Sequence, residues 1–214
     1  MSVQYVVFST IFKADIENYP VYLLAGIVLF NFFSEATNVS IGAIVGNASL
    51  ITKVYVPKYI YPVSKVLSAS INLLISMFPL LIMCLVTGVS ITKAFLVLPF
   101  VIACLLLFCI GIGFILSSLM VFFRDIQFIW SVFSLVWMYA TPVFYPESIL
   151  PEGFSAILKV NPMYYFIKFF RIVLIEGVVP EPRMFVYCII STIVPLVLGS
   201  VLFKKTQDKF VFYI

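Results

Sequence analysis

Histidine is absent from the 214 residues, and with it go imidazole proton relays, histidine-bearing metal sites and Ser/His/Asp hydrolysis. Charge is scarce as well. Only 10% of the residues are Asp, Glu, Lys or Arg, against about 25% in a soluble globular domain. The four cysteines, Cys84, Cys104, Cys109 and Cys188, lie inside apolar runs without CxxC spacing and read as small hydrophobes of a helical bundle. No GxxxxGK[ST] loop is present to cradle ATP phosphates, and the carboxylates stand singly rather than paired for acid/base work. The net charge of +4 comes without a basic run or an aromatic-basic interleave, so nucleic acid is not an expected partner. Neither a cofactor nor a metal is expected in this chain. Any work it performs draws on an ion gradient or on a partner ATPase.

What remains is apolar. With 64% hydrophobic residues and a mean hydropathy of +1.20, the chain reads as an all-α, multi-pass membrane protein. Residues 1–12 are apolar but too few for the ~20 that a crossing needs, and they lack a basic start and a small-residue cleavage site. They read as the outer end of a first span whose beginning precedes this sequence. Residues 13–20 form a polar loop. Apolar runs over 21–46, 66–89, 94–123, 126–144 and 183–203 bring the expectation to a six-span bundle, the first span partial. Pro99 is a kink point in the 94–123 run, which carries Gly111, Gly113 and Ser117 at small-residue packing spacing.

Inside the 21–46 run, Asn31, Glu35, Asn38 and Gly42 recur at helical spacing, so their polar groups form a stripe on one face, continued by the GxxxG of Gly42 and Gly46. A carboxylate at the centre of a helix in lipid costs about 2.5–3.5 kcal/mol on insertion scales, which turns the stripe toward protein or water. Glu35 then either fixes packing through an interhelical hydrogen bond or lines a polar translocation path.

Residues 47–65 are a polar interruption whose only charges are Lys53, Lys58 and Lys65, which argues for the cytoplasmic face. Asn47 and Ser49 are capping residues for a short helix, with Pro57 and Pro62 to end it. Such an element either anchors two spans, with Tyr55, Tyr59 and Tyr61 at headgroup depth, or serves as a docking knob for a soluble partner. Arg124-Asp125 reads as a tight turn on the same side, held by a local ion pair. That side collects Lys53, Lys58, Lys65, Arg124, Lys204, Lys205 and Lys209, against Lys13, Lys93, Lys159, Lys168, Arg171 and Arg183 on the other. Four of the latter, Lys159, Lys168, Arg171 and Arg183, belong to one long broken stretch or its boundary, where the short-loop rule has least force.

That stretch, residues 137–177, breaks at Thr141-Pro142 and again at Tyr145-Pro146 before offering short helical pieces. Asn161-Pro162 is a helix-start signal and Gly177 a stop. A helix over 163–176 would be about 21 Å long, short of the ~30 Å hydrocarbon core. It does not span.

Three runs carry a resemblance: NASLITKVYVPKYIYPVSKVL, FFRDIQFIWSVFSLVWMYATPVFYPESILP and KVNPMYYFIKFFRIVL. Their RD before the fifth span, TPV-YP after it, and NP followed by R in the next short helix together resemble the membrane permease of type-2 ABC exporters, in the branch that exports O-antigen polysaccharide, teichoic acid and related surface glycans. The resemblance covers essentially the whole chain, here taken as one permease domain. It departs at the front, where the amphipathic cytoplasmic helix and the complete first span of such permeases have no counterpart in this sequence. It implies a homodimer of six-span subunits in the plasma (cell inner) membrane, each bound to a separate nucleotide-binding subunit that hydrolyses ATP with Mg. The chain itself would not be an enzyme. It further implies a cytoplasmic coupling loop at 47–65 whose helix docks on the ATPase through Asn47, Ser49, Leu50, Ile51, Thr52 and Lys53, and extracytoplasmic re-entrant gate helices at 146–177.

A lipid-linked glycan would pass where two permeases meet, with Glu35 on the path. Aromatic rings stack on the CH faces of sugars, which makes Tyr139, Phe144, Tyr145, Tyr164, Tyr165 and Phe166 candidates; the same rings also suit bundle packing or an interfacial belt. Lys168 and Arg171 share a helix face at i,i+3 and would attract the phosphate of a lipid carrier or snorkel to anionic headgroups. The residues also fit a type-2 ABC exporter of drugs or lipids, a gradient-driven flippase or carrier, and a membrane-anchored scaffold.

Overall fold

The computed structural model describes residues 18–54, 56–89, 92–147 and 155–213, and among them there is no strand. The partial span expected over 1–12, together with Lys13, Tyr55 and residues 148–154 of the expected gate, lies outside the described residues. Nine helices follow in order among the described residues: α1 (Tyr19–Ile41), α2 (Ala48–Lys53), α3 (Ile60–Val86), α4 (Leu98–Phe122), α5 (Ile126–Ala140), α6 (Ser155–Val160), α7 (Pro162–Arg171), α8 (Pro182–Thr206) and α9 (Phe210–Tyr213). Short 3₁₀ turns at Val45–Asn47, Lys93–Val97 and Gln207–Lys209 and a π turn at Ile172–Glu176 join them.

Four segments, Tyr19–Ile41, Ile60–Val86, Lys93–Phe122 and Pro182–Tyr213, are long and apolar enough to cross a membrane. The run expected to span over 126–144 is a shorter helix, α5, of 15 residues, or about 22 Å. Pro142 is the reason, because a proline pushes its preceding residue out of the helical region, and Thr141 is accordingly extended at φ −99°, ψ 137°.

α1 and α4 form the centre, with buried residues around most of their circumference. α3 buries one stripe, Val66, Ala69, Leu73, Leu80 and Cys84, and exposes Ile71, Leu74, Ile75, Phe78, Ile82 and Leu85, the two-faced pattern of a peripheral helix in lipid. α4 and α8 touch backbone to backbone. A methyl group added at Gly111 would lie 2.6 Å from the Leu196 amide nitrogen, and one at Gly199 would strike the Gly111 carbonyl oxygen, so both positions need glycine for this close approach. Thr192 Oγ1 adds a cross-helix bond to the Cys104 carbonyl at 3.1 Å.

Several local expectations change. Pro99 does not kink a helix; it sits in the first turn of α4, after the 3₁₀ turn, where its missing N–H is harmless. Pro62 likewise begins α3 rather than ending α2. Asn47 does not cap α2 with its side chain; its Nδ2 donates to the Ala43 carbonyl at 2.8 Å and closes the turn that follows α1 instead. Arg124 makes no ion pair with Asp125. Its Nη2 donates to the Tyr213 carbonyl at 3.3 Å, and Lys58 Nζ donates to the Gln207 carbonyl at 2.7 Å. The lysine-bearing loop, the α4–α5 turn and the C-terminal segment therefore meet at one end of the bundle. There Phe210, fully buried, packs on Phe122 and Phe203.

Candidate functional site

The residues singled out in the sequence separate into three places. The first is the open side of α1, where Asn31 and Asn38 are exposed and Glu35 is half-buried. Asn72 of α3 donates through Nδ2 to Glu35 Oε1, so the carboxylate does make an interhelical bond. The pair borders a cavity of about 260 Å³ between α1 and α3, whose lining also includes Asn31 and Ser76 beside the apolar Leu24, Ile27, Phe32 and Leu73.

The second place is the break after α5. Buried carbonyls released where a helix breaks need donors inside the protein, and four consecutive carbonyls here have them. Arg171 donates from Nη1 to Pro142 O at 2.7 Å and from Nη2 to Val143 O at 2.8 Å. Tyr19 Oη donates to Phe144 O at 3.0 Å, and Tyr22 Oη to Tyr145 O at 3.2 Å. Arg171 Nε completes the fork on the Tyr22 carbonyl at 3.2 Å, with its guanidinium 3.4 Å from the centre of the Tyr22 ring. One buried arginine of α7 thus clamps the broken segment against the start of α1. Burial pulls its pKa down to about 10, partly offset by Tyr22, Glu147 and Tyr19, and it stays charged at neutral pH.

Asn161 is the second clamp. Its Oδ1 accepts from the Met163 amide at 3.1 Å, capping α7 where the Asn-Pro signal places the start. The same oxygen accepts from Trp137 Nε1 at 2.8 Å, while Nδ2 donates to Thr141 Oγ1 at 2.8 Å. The end of α5, the break and the start of α7 are tied through one side chain. Gly177 ends the segment with φ 65°, and Thr92 Oγ1 donates to its carbonyl at 2.7 Å.

Lys168 lies one turn from Arg171 and pairs with Glu147 at 2.9 Å, while Tyr164 Oη donates to the same carboxylate at 2.9 Å. Burial lowers the Lys168 pKa, but the bonds to Tyr164 and Glu147 outweigh it and the net shift is upward. A cavity of about 160 Å³ lies between these groups, Tyr22 and Glu176. Of the candidate rings, Tyr139 is exposed and Tyr145 half-buried, Tyr145 Oη donating to the Tyr139 carbonyl at 2.7 Å. Tyr165 stacks on Tyr187 at 4.8 Å. Phe144 and Phe166 are buried, Phe166 against Phe108. Glu35 sits about 20 Å along α1 from Tyr22, so the Glu35–Asn72 pair and the clamp are separate sites. Sequence reasoning missed Tyr19, Tyr22 and Trp137 as clamp residues and read Asn161 only as the cap of the short helix; the available signal was a doubly broken apolar run needing donors.

The third place is α2. Leu50 and Val54 are about half exposed, at 51% and 53%, and Ser49, Thr52 and Lys53 are exposed; Asn47 is half-buried, and Ile51 is half-buried against the core.

Against known proteins, residues 1–175 match the family described as ABC-2 type transporter. The chain is 26% identical over 209 residues to the O-antigen export system permease protein RfbA of Klebsiella pneumoniae, covering 97% of this chain and 80% of that protein. It is 27% identical over 212 residues to RfbA of Myxococcus xanthus, covering 98% and 82%, and 24% identical over 197 residues to the polysialic acid transport protein KpsM of Escherichia coli, covering 89% and 74%. With four helices long and apolar enough to cross a membrane and a family match over most of its length, the chain belongs to the ABC-2 type transporters as a membrane-embedded protein.

Proposed function

We propose that this chain is the permease subunit of an ATP-driven exporter that moves a lipid-linked surface glycan across the plasma (cell inner) membrane. The observation that carries the reading is the polar stripe of α1. Asn31, Glu35 and Asn38, with Asn72 of α3, lie on an open side of the bundle, whereas the outward faces of α3, α5 and α8 expose mainly apolar side chains such as Phe78, Val136 and Val197. Lipid would make that exposure costly. A second copy of the chain covering it would enclose a hydrated passage between two stripes, and polar amides suit a polyhydroxyl cargo. The names of the relatives, O-antigen export and polysialic acid transport, support a glycan rather than a drug. The energy comes from a nucleotide-binding partner seated on α2 at the lysine-bearing end, with ATP and Mg held by that partner. The Arg171-clamped segment would act as the gate at the opposite end.

Reconstitution with the partner ATPase in vesicles with collapsed ion gradients tests this. Glycan should move only while ATP is hydrolysed, and cysteines introduced at Asn38 should cross-link between two copies. Transport without ATP would make the protein a gradient-driven carrier, and ATP-driven movement of a drug or a free lipid with no glycan transport would replace the cargo.

A further inference from the structure

Where α1 runs down toward α2, the bundle opens on a cleft of about 530 Å³ between α1, α3 and α5, within the ~300–1,000 Å³ range of small-molecule sites. Its wall is polar, with Asn38, Asn47, Lys65 and Gln127. Gly42 and Gly46 also line it, and a methyl group at either would meet nothing within 4 Å. The GxxxG seam is therefore not used for packing among the described residues; it keeps the floor of the cleft low.

The polar groups have spare capacity. The single ion pair among the described residues joins Lys168 to Glu147, so the Lys65 ammonium has no carboxylate partner among them. Asn47 uses Nδ2 on the Ala43 carbonyl, and Asn38 uses Nδ2 on Ser34 Oγ, so both amide oxygens remain available as acceptors. Gln127 is exposed and makes no side-chain bond among the described residues. One ammonium with three amides is a combination that an apolar drug would not use and that a bare multivalent anion would find short of cations. It suits a sugar carrying phosphate, the ammonium reaching phosphate oxygens and the amides exchanging bonds with hydroxyls.

We propose that this cleft binds a sugar phosphate. Resting on the exporter reading above, its occupant is the phosphorylated sugar at the lipid end of the cargo, held at the lysine-bearing end of the bundle before it moves along the Asn38–Glu35–Asn31 stripe.

The purified full chain in phosphatidylethanolamine nanodiscs would be titrated with glucose 1-phosphate, with polyprenyl-pyrophosphoryl-N-acetylglucosamine and with phosphatidylglycerol. Lys65→Gln and Gln127→Leu change exposed side chains and should keep wild-type helix content. Both sugar probes should bind the wild type. Lys65→Gln should weaken them about tenfold, the loss of one charge-assisted hydrogen bond, Gln127→Leu should weaken them about threefold as one neutral bond is lost, and phosphatidylglycerol should follow neither change. Unchanged sugar affinity in Lys65→Gln overturns the proposal. So does binding of neither sugar probe, or an equal loss for all three probes with no effect of Gln127→Leu, which would make Lys65 a headgroup anchor. Lys65-dependent binding of glucose 1-phosphate with no binding of the polyprenyl-linked sugar would keep the pocket and remove the cargo reading.

Discussion

Gly26 of α1 and Arg171 of α7 fit one another so closely that a methyl group at residue 26 would stand 2.6 Å from Arg171 Nη2. The same methyl would lie 3.2 Å from the Val143 carbonyl oxygen that Nη2 bonds. The missing side chain is thus what admits the guanidinium to the carbonyls of the break. Gly26→Ala should lower stability by about 1–2 kcal/mol by dislodging one charge-assisted bond, and Gly26→Val by more. Arg171→Ala alone leaves the Pro142 and Val143 carbonyls unpaired and should be worse than Gly26→Ala. Combining Gly26→Val with Arg171→Ala should cost at least about 1 kcal/mol less than the sum of the single losses, since the steric target is gone. Thermal unfolding of the detergent-solubilised variants measures all of these, and strict additivity would mean that the two residues do not act on one another.

Geometry matters at Arg171 more than charge. An ammonium cannot reach three carbonyls spread over α1 and the break as the planar fork does, so Arg171→Lys should destabilise by about 2 kcal/mol although the charge is kept. Tyr22 supplies two separable parts, a ring under the guanidinium and a hydroxyl on the Tyr145 carbonyl. Tyr22→Phe should lose about 1 kcal/mol and Tyr22→Leu clearly more, because only the latter removes the stacked face as well. Equal losses would put the whole effect on the hydroxyl.

Signals local in sequence were readable, and contacts set by tertiary packing were not. The Asn31–Glu35–Asn38 stripe follows from helical spacing, and the Asn161-Pro162 start and Gly177 stop of the short segment follow from capping chemistry. The early end of α5 at Ala140 was also legible, through Pro142, though the apolar run to Phe144 masks it. Tyr19 and Tyr22 bond carbonyls 125 and 123 residues away, and no spacing rule predicts that. Arg171 looks from sequence like a cation sharing a face with Lys168. Packing against α1 instead points its fork at backbone oxygens while Lys168 turns to Glu147, so the two cations have separate partners. The Arg124-Asp125 pair failed for the same reason, because the carbonyl of Tyr213 reaches Arg124 only once the C-terminal segment folds back.

Asn161 ought to show a graded series. Asn161→Ser can still accept from the Met163 amide but no longer holds both Trp137 Nε1 and Thr141 Oγ1, whereas Asn161→Ala loses the cap as well. The cap is worth about 1 kcal/mol, and leaving the Trp137 N–H unpaired adds about 1–3 kcal/mol. Unfolding midpoints should therefore fall in the order Asn, Ser, Ala, with Trp137 fluorescence shifting in both variants. A serine variant as stable as the wild type would show that the Trp137 bond contributes nothing.

Leu50 and Ile51 are neighbours on α2 with opposite surroundings, and that separates docking from folding. Leu50 is 51% exposed, so Leu50→Asp removes an outward apolar contact without opening the core. Its unfolding temperature should stay within about 2 °C of the wild type, as expected for surface changes of about 0.5 kcal/mol, while co-purification of the partner ATPase is lost. Ile51 packs against the buried cluster, and Ile51→Asp places a carboxylate there, so its unfolding temperature should drop by several degrees. Any loss of ATPase binding in that variant would be confounded by misfolding. The informative pair is thus Leu50→Asp against Leu50→Met, the latter keeping an apolar side chain of similar size. Retention of the ATPase by Leu50→Met and its loss in Leu50→Asp, with both proteins equally stable, would locate the docking contact on the exposed face of α2; retention by both would move it elsewhere on the lysine-bearing end.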